Sequence, residues 1–566
     1  MKFAEIALLS KVRNSQDTFT YKIPTDMQVS VGDFVVVPLQ AKQTHGIVMS
    51  IHETTPRYQT KDIISLALDS HSLPQSYIDF LMYMGKHTLH SVSNLAQAWL
   101  SLKPKRYTKS ISQQNLQQHT PIASQVVLYN TIHELAPIIE SQTHQRTGQI
   151  VIICPRIHEA SKLAQQLSHL NPINYHDYNT SHERFALQER CIQGISGVYI
   201  GTRTLATLPF SNLTHLIIVD DNSVEHIQNE PTPHFSTTQI SAFYETITNV
   251  SYISHTPSLE TLHRVVQKEL QLNPVNQAHA HNYTLFHHNA HTPLVSQALP
   301  QDAYEYLKMR LDLGKRIIVL CNKKGLYTGL FCRSCNTTTH DLSRLTCPTC
   351  KSPSVFAVGK GIDQIKEDLS PLFPQFSIET FSADTTSSPQ AQLVIATQAL
   401  IYSPHISAFD EVFILSFESL TSQLHSTYEE QHLENIFSIA QSHNLKVSLI
   451  AKHDLPLVWH HFLSHDLKHW YANKLSARKD YNLPPFYHLI TCVYEDTLHE
   501  RGLHMMESIL SQLKTELPAS CIISAILEKE VAKKHIFECS MSAPADVTLE
   551  FLSIIKKHPL KLYHFG

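Results

Sequence analysis

Val198-Tyr199-Ile200-Gly201-Thr202-Arg203-Thr204-Leu205 is echoed further along the chain by Leu393-Val394-Ile395-Ala396-Thr397-Gln398-Ala399-Leu400. Each reads as an apolar strand running into a short polar turn. Such turns at strand ends are where nucleotide and nucleic-acid contacts collect in α/β sheets, although Thr and Gln there serve equally as caps for the next helix. Around the first copy lie the apolar run Ile150 to Pro155, a helical period from His158 to Leu170 and a further run, Leu216 to Asp221. Around the second lie Ile317 to Cys321, Ile378 to Phe381 and Val412 to Leu415. Apolar strands alternating with helices predict parallel sheets covered on both faces. The expected fold class is therefore α/β and multidomain, with two similar lobes at 121–270 and 301–470 and a polar, His/Asn-rich connector at 271–300.

The second lobe carries an insert, Cys332-x-x-Cys335 and Cys347-x-x-Cys350, with eleven residues between the knuckles. Thiolates at that spacing can close a tetrahedron around one zinc ion. The alternative is a pair of disulfides or scattered core cysteines; Pro348 and the polar residues between favour the metal. With all four positions filled by Cys, the ion is expected to be structural, and the insert has too little apolar surface to fold without it.

Outside the lobes, residues 1–70 read as short strands, Phe3 to Leu9, Thr18 to Ile23, Phe34 to Pro38 and His45 to Ile51, with a tight turn at Val31-Gly32-Asp33. Residues 74–102 change to a helical period. Lys103-Pro104-Lys105-Arg106-Tyr107-Thr108-Lys109 follows, four positive charges that either touch a phosphate backbone or form a solvated linker. The last part, 471–566, is mixed, with a strand at Leu489 to Tyr494 and helices at His499 to Leu513 and Ala545 to Lys557.

At 566 residues, 42% hydrophobic and 17% charged, the chain has material for several cores. Its net charge of −4 excludes a globally basic nucleic-acid coat, so any such site is built from local patches. The cysteines outside the insert (Cys154, Cys191, Cys321, Cys492, Cys521, Cys539) sit mostly in apolar runs, as buried thiols do in a reducing compartment. With no signal peptide and no long apolar run, a cytoplasmic protein without a membrane span is expected.

Several segments, in order, resemble the family of primosomal protein N′, the PriA replication-restart helicases, along nearly the whole chain. They are Thr18-Phe19-Thr20-Tyr21, Gly32 to Pro38, Lys61 before an apolar strand, Ile200-Gly201-Thr202-Arg203, Thr256 to Leu262, Asn322-Lys323-Lys324-Gly325, Gly359 to Pro374 with Asp384-Thr385-Thr386, and Ala477 to Phe486. The resemblance implies two RecA-like helicase lobes, an amino-terminal domain at 1–102 that holds a 3′ DNA end, and a DNA-binding-like α+β domain at 471–566. It implies DNA contacts at Phe19, Tyr21 and Lys61, through stacking on a base and countering phosphate charge, with Lys105, Arg106, Lys323 and Lys324 as further candidates. Two aromatics alternating on a strand are equally a half-buried core pair.

The chain departs from that family in its nucleotide motifs. A phosphate loop, Gly-x-x-x-x-Gly-Lys-Ser/Thr, is expected between a helix near Gln125 to Leu135 and the strand at Ile150; Ala136 to Gly148 there holds one glycine and no lysine. The family's Asp-Glu-Glu-His is Asp220-Asp221-Asn222-Ser223, which leaves Asp220 and Asp221 as remnants. Near the place of the arginine motif stands Ile436 to Asn444, without arginine, and loss of such an arginine alone costs ~10³ to 10⁵ in rate. The winged-helix module has little room at 103–120, and Cys332, Cys335, Cys347 and Cys350 match the outer pairs of a two-zinc insert, implying one zinc. The acidic residue between the family's two aromatics is Thr20. The expectation is a replication-restart protein that binds forks, 3′ ends and single-stranded DNA and scaffolds primosome, helicase-loading and single-stranded DNA-binding proteins without using ATP or magnesium. The alternatives are a divergent ATP-dependent 3′-to-5′ helicase and a protein-protein scaffold without DNA binding.

Overall fold

The computed structural model describes residues 2–10, 17–40, 42–67, 72–102, 124–143, 147–228, 233–273, 283–288, 292–296, 299–321, 329–335, 338–339, 346–347, 350–358, 361–385, 387–421, 427–531, 534–544, 554–555, 558 and 560–565. An antiparallel sheet opens the chain, in the order Phe19–Ile23, Lys2–Leu8, Lys42–His52, Phe34–Leu39, Ser65–Leu66. One face of its central strands packs on a core of Ala4, Ile6, Val35, Val37 and Val48, and the other puts Ala7, Phe34, Ile47 and Met49 against the helices that follow, so both faces are covered. Gly32 makes the turn before Phe34 at φ +91°, and a Cβ there would meet the Leu73 carbonyl oxygen at 2.2 Å, so only glycine fits. Helices Gln75–His87 and Val92–Trp99 follow, their apolar faces formed by Tyr77, Phe80, Leu81, Met84, Leu95 and Trp99. Phe80 stacks against Tyr244, and the Tyr77 hydroxyl donates to the Thr207 carbonyl at 2.7 Å, which docks this domain on the first lobe.

Both lobes are parallel sheets. The first runs Gln271–Asn273, Gln125–Leu128, Asn249–Ser254, Leu213–Val219, Gln149–Ile153, Gly197–Gly201, Ile173–Asn174. The second runs Thr284–His287, Lys446–Ala451, Glu411–Ile414, Ile317–Leu320, Leu393–Ala396, Ile378–Phe381. The two echoed segments are thus corresponding strands, each second from one edge of its sheet. Their residues are almost wholly buried because helices cover both faces.

Two expectations are corrected. Gln125–Leu128 is a strand, and the helix begins only at Ile132, running to Thr143. Val126 and Val127 are β-branched and suit a central strand, while the helical period of Leu135 and Ile139 starts after them. The stretch 271–300 is likewise more than a connector: Gln271–Asn273 closes one edge of the first sheet, and Thr284–His287 closes an edge of the second, where Phe286 is buried. Its polar neighbours hide that short strand in the sequence.

The insert is a three-stranded antiparallel ribbon, Thr338–Thr339, Gly329–Cys332, Val355–Val358. In the last domain Tyr487–Asp496 pairs along its whole length with Lys534–Pro544, and helix His499–Glu516 covers the sheet with Met506, Ile509, Leu510 and Leu513. Most of the helix expected at 545–557 lies outside the described residues. Among the described residues no helix is long and apolar enough to cross a membrane.

Candidate functional site

Residues Thr18 to Tyr21, Pro38 to Gln40 and Tyr58 to Lys61 line one open cleft of about 310 Å³ in the amino-terminal sheet. Phe19, Tyr21 and Lys61 are thereby brought together. Phe19 is half-buried against the sheet core, and Tyr21 is buried, its hydroxyl donating to the Pro38 carbonyl at 3.1 Å while burial pushes its pKa up. Lys61 is exposed, and its segment is fixed by two backbone bonds with Lys22: Lys22 N–H to Lys61 O at 2.9 Å and Ile63 N–H to Lys22 O at 3.0 Å.

Beneath the cleft lies a carboxylate that the sequence reading missed. Glu5 sits opposite Thr20 in the strand pair and accepts from the hydroxyls of Thr20 (2.7 Å) and Thr18 (2.8 Å), with His52 Nε2 at 3.3 Å. Burial pushes the Glu5 pKa up, but those hydrogen bonds outweigh it and hold the carboxyl below its ordinary value. Because the Thr20 hydrogen goes to Glu5, its oxygen accepts from the Tyr58 hydroxyl, 2.7 Å away; Tyr58 is 63% exposed and hangs over the cleft. The available signal for Glu5 was a lone acid in the otherwise apolar Phe3 to Leu8 run.

The nucleotide position is built differently from what the resemblance implies. The strand-to-helix junction that would carry a phosphate loop is Tyr129-Asn130-Thr131, still without glycine or lysine. Tyr129 is fully buried, and its hydroxyl lies 2.8 and 2.7 Å from the two carboxylate oxygens of Asp220, at the end of strand Leu213–Val219. The Asp220 carboxylate also accepts from the His255 backbone N–H at 3.1 Å. Burial drives its pKa from 3.8 to about 6, with the Tyr129 bond acting in the opposite direction. Just before the next helix, the Glu134 carboxylate accepts from Asn130 N–H at 3.1 Å and Thr131 Oγ1 at 3.2 Å. Asp221 is held by Thr261 Oγ1 at 2.6 Å and Ser258 N–H at 3.2 Å.

Beside this junction a cavity of about 440 Å³ separates the lobes, lined by Ile132, Asp220, Lys162, Ile401, Ile406 and His443 among others. Arg156, just outside it, pairs with Glu159 and lies 5.1 Å over the Tyr402 ring. His158 and His443 are held below their ordinary values by burial and are neutral at pH 7. The segment matching the arginine motif belongs to helix Thr427–Ser442 and is packed into the second lobe through Ile436, Phe437 and Ile439. Arg203 is engaged internally, donating to Gln228 Oε1 and the Glu225 carbonyl, both at 2.8 Å.

In the ribbon the sulfurs of Cys332, Cys335, Cys347 and Cys350 all lie within 4.8 Å of one another, with Cys332–Cys350 and Cys335–Cys347 at 3.5 Å. Zn–S bonds of about 2.3 Å in a tetrahedron set neighbouring sulfurs ~3.8 Å apart, so the donor set fits a structural zinc ion. Lys105, Arg106, Lys323 and Lys324 lie outside the described residues.

Residues 5–101 match the family model of the PriA 3′DNA-binding domain. The replication restart protein PriA of Rickettsia conorii is 19% identical over 90% of this chain and 91% of its own length. That of Chlamydia trachomatis is 21% identical over 61% and 53%, and that of Haemophilus influenzae 23% over 47% and 42%. Among solved structures, a DEAD box protein from Methanococcus jannaschii is similar at a TM-score of 0.32, with 10% identity over 62% of this chain and 86% of its own. Dbp5 of S. cerevisiae, bound to RNA and ADP BeF3, gives 0.34 and 10% over 72% and 91%. With its amino-terminal domain matched and a relative running along most of its length, the chain is similar to the PriA replication restart proteins.

Proposed function

We propose that this chain binds forked and 3′-ended DNA through the Phe19–Lys61 cleft and scaffolds assembly of the replication-restart machinery without hydrolysing ATP. The observation that carries this reading is the contrast between an open cleft in the matched domain and a nucleotide position filled by the protein's own groups. In the cleft, the exposed Tyr58 ring and the accessible part of Phe19 offer faces to a terminal base, and Lys61 counters the adjacent phosphate. The Thr20 oxygen, oriented by Glu5, is an acceptor for a sugar hydroxyl once Tyr58 swings aside.

At the other site, Tyr129 takes the carboxylate on which a magnesium ion would depend, and Glu134 takes the Asn130 N–H in the loop where a phosphate would lie. Among the described residues lining the interlobe cavity, Lys162 is the one lysine or arginine offered to a polyanion, and Glu159 and Asp220 line it as well, which leaves too little positive charge to hold a triphosphate. The ribbon holds one structural zinc and serves folding or a partner surface. Candidate partners are primosome and helicase-loading proteins and the single-stranded DNA-binding protein.

The test pairs a fork-binding titration with a DNA-stimulated ATPase assay on the purified chain. Tighter binding to forks with a 3′ end than to blunt duplex, with ATP hydrolysis at background, is expected. ATPase activity above background that disappears in Asp220→Asn would overturn the non-hydrolysing reading, and equal affinity for forks and blunt duplex would leave a scaffold without end recognition.

A further inference from the structure

Helices Leu457–Leu463 and Leu467–Asp480 meet at a corner that reads His460-His461-Phe462-Leu463-Ser464-His465-Asp466-Leu467-Lys468-His469. His461, Asp466 and His469 each present a ligand atom, and the three atoms lie within 4.8 Å of one another. One carboxylate oxygen, Asp466 Oδ2, is 2.7 Å from His469 Nδ1 and 3.3 Å from His461 Nδ1. The two imidazoles lie 5.1 Å apart with their planes 25° from parallel. His465 turns the corner at φ +57° and so sets Asp466 between them.

A hydrogen-bonded helix cap accounts for only part of this. As N-cap, Asp466 uses its other oxygen, Oδ1, to accept from the His469 backbone N–H at 3.3 Å. Oδ2 is then left to two imidazoles from two different helices, one more than a cap needs. Two imidazole nitrogens and a carboxylate oxygen are a donor set for zinc and its neighbours, with metal–ligand bonds of about 2.0 to 2.2 Å. Tetrahedral coordination at that length places ligand atoms ~3.4 Å apart, close to the 3.3 Å between Asp466 Oδ2 and His461 Nδ1, so an opening of about 0.7 Å between Asp466 Oδ2 and His469 Nδ1 would seat an ion. Side-chain exposures of 19%, 38% and 61% for His461, Asp466 and His469 leave a path for entry and room for a water as fourth ligand.

We propose that His461, Asp466 and His469 form a second metal site, separate from the ribbon, that takes a divalent ion of the zinc class. The corner it would hold is also a joint between the lobes. His465 Nε2 lies 3.1 Å from the His255 carbonyl oxygen and its ring stacks on that of His255 at 4.4 Å, while Tyr471, one turn into the next helix, meets His263 at 3.0 Å. An ion bridging both helices fixes the pitch at which these residues reach the first lobe, so it is a clamp on the seam.

The experiment uses the full chain with zinc in its ribbon, dialysed against metal-free buffer and titrated with Co²⁺. One cobalt per chain at micromolar free metal, with weak d–d bands, no thiolate charge-transfer band and a raised melting temperature, is expected. His469→Ala, at the most exposed ligand, and the pair His461→Gln/His469→Ala should weaken cobalt binding tenfold or more and abolish the melting shift, with ribbon zinc retained as the folding control. No cobalt uptake, uptake only with thiolate bands, or uptake unchanged in both variants would overturn the site.

Discussion

Asp220→Asn separates a working nucleotide site from an occluded one, because the two readings give opposite signs for stability. The folded pKa of Asp220 is about 6 against 3.8 in the unfolded chain, so the folded state holds the proton more tightly. Stability from this group is therefore greatest below pH 4, is lost as pH rises through about 6, and stays lost above it. At 1.36 kcal/mol per pH unit the difference amounts to ~3 kcal/mol at pH 8, an upper bound for what a neutral side chain of the same shape recovers. Asn keeps one acceptor for the Tyr129 hydroxyl and removes the buried charge. Urea unfolding followed by tyrosine fluorescence should therefore show Asp220→Asn more stable than the parent at pH 8 by ~1 to 3 kcal/mol and indistinguishable at pH 4. Tyr129→Phe should do the reverse at pH 8, losing ~1.5 to 3 kcal/mol for a hydrogen bond to a charged group, and lose less at pH 5, where Asp220 is protonated. Fork affinity should be unchanged in Asp220→Asn. An Asp220→Asn chain that is less stable at pH 8, or that loses a DNA-stimulated ATPase, would refute the reasoning.

In the cleft, Phe19→Ala should weaken binding to 3′-ended forks by ~1 to 3 kcal/mol, and Lys61→Ala should reduce the slope of log affinity against log salt by about one, both read by fluorescence anisotropy against blunt duplex. Mass spectrometry under native conditions should find one thiolate-bound zinc per chain, lost in Cys335→Ser/Cys350→Ser, with protease nicking confined to residues around the ribbon. Lys474 is buried with its Nζ 2.6 Å from Glu430 and 2.8 Å from Glu434. Lys474→Met strands the buried Glu434 carboxylate and should cost ~3 to 5 kcal/mol at pH 7 by urea unfolding, less as pH falls and Glu434, whose pKa burial already raises, takes a proton.

The echoed strands were legible because buried parallel strands leave an uninterrupted apolar run, and the ribbon because four thiolates need fixed spacing. Phe19, Tyr21 and Lys61 came from resemblance: alternation alone leaves the two aromatics as core residues, and Tyr21 is indeed buried while lining the cleft. The Tyr129–Asp220 contact joins residues far apart in sequence and depends on the parallel pairing of Gln125–Leu128 and Leu213–Val219 with the strand between them. With Gln125–Leu128 expected as helix, the tyrosine could not be placed. The Glu5–Thr20 pair depends on strand register, which a lone acid in an apolar run suggests only once the partner strand is known.

The seam between the lobes is closed by the protein's own groups. In a cleft that closes on nucleotide, polar groups facing each other across the gap are satisfied by the ligand in one state and by water in the other. Here they are satisfied by each other: Gln431 Nε2 donates to the Asn222 carbonyl at 2.9 Å, Ser438 Oγ to Thr256 Oγ1 at 3.2 Å, and Ser223 Oγ to Asn435 Oδ1 at 3.4 Å. Leu259 of the first lobe is buried in the apolar core of the second. Opening the seam would expose that leucine, at about 1.5 to 3 kcal/mol for a fully buried side chain. A joint satisfied by its own residues sets the first lobe against the second.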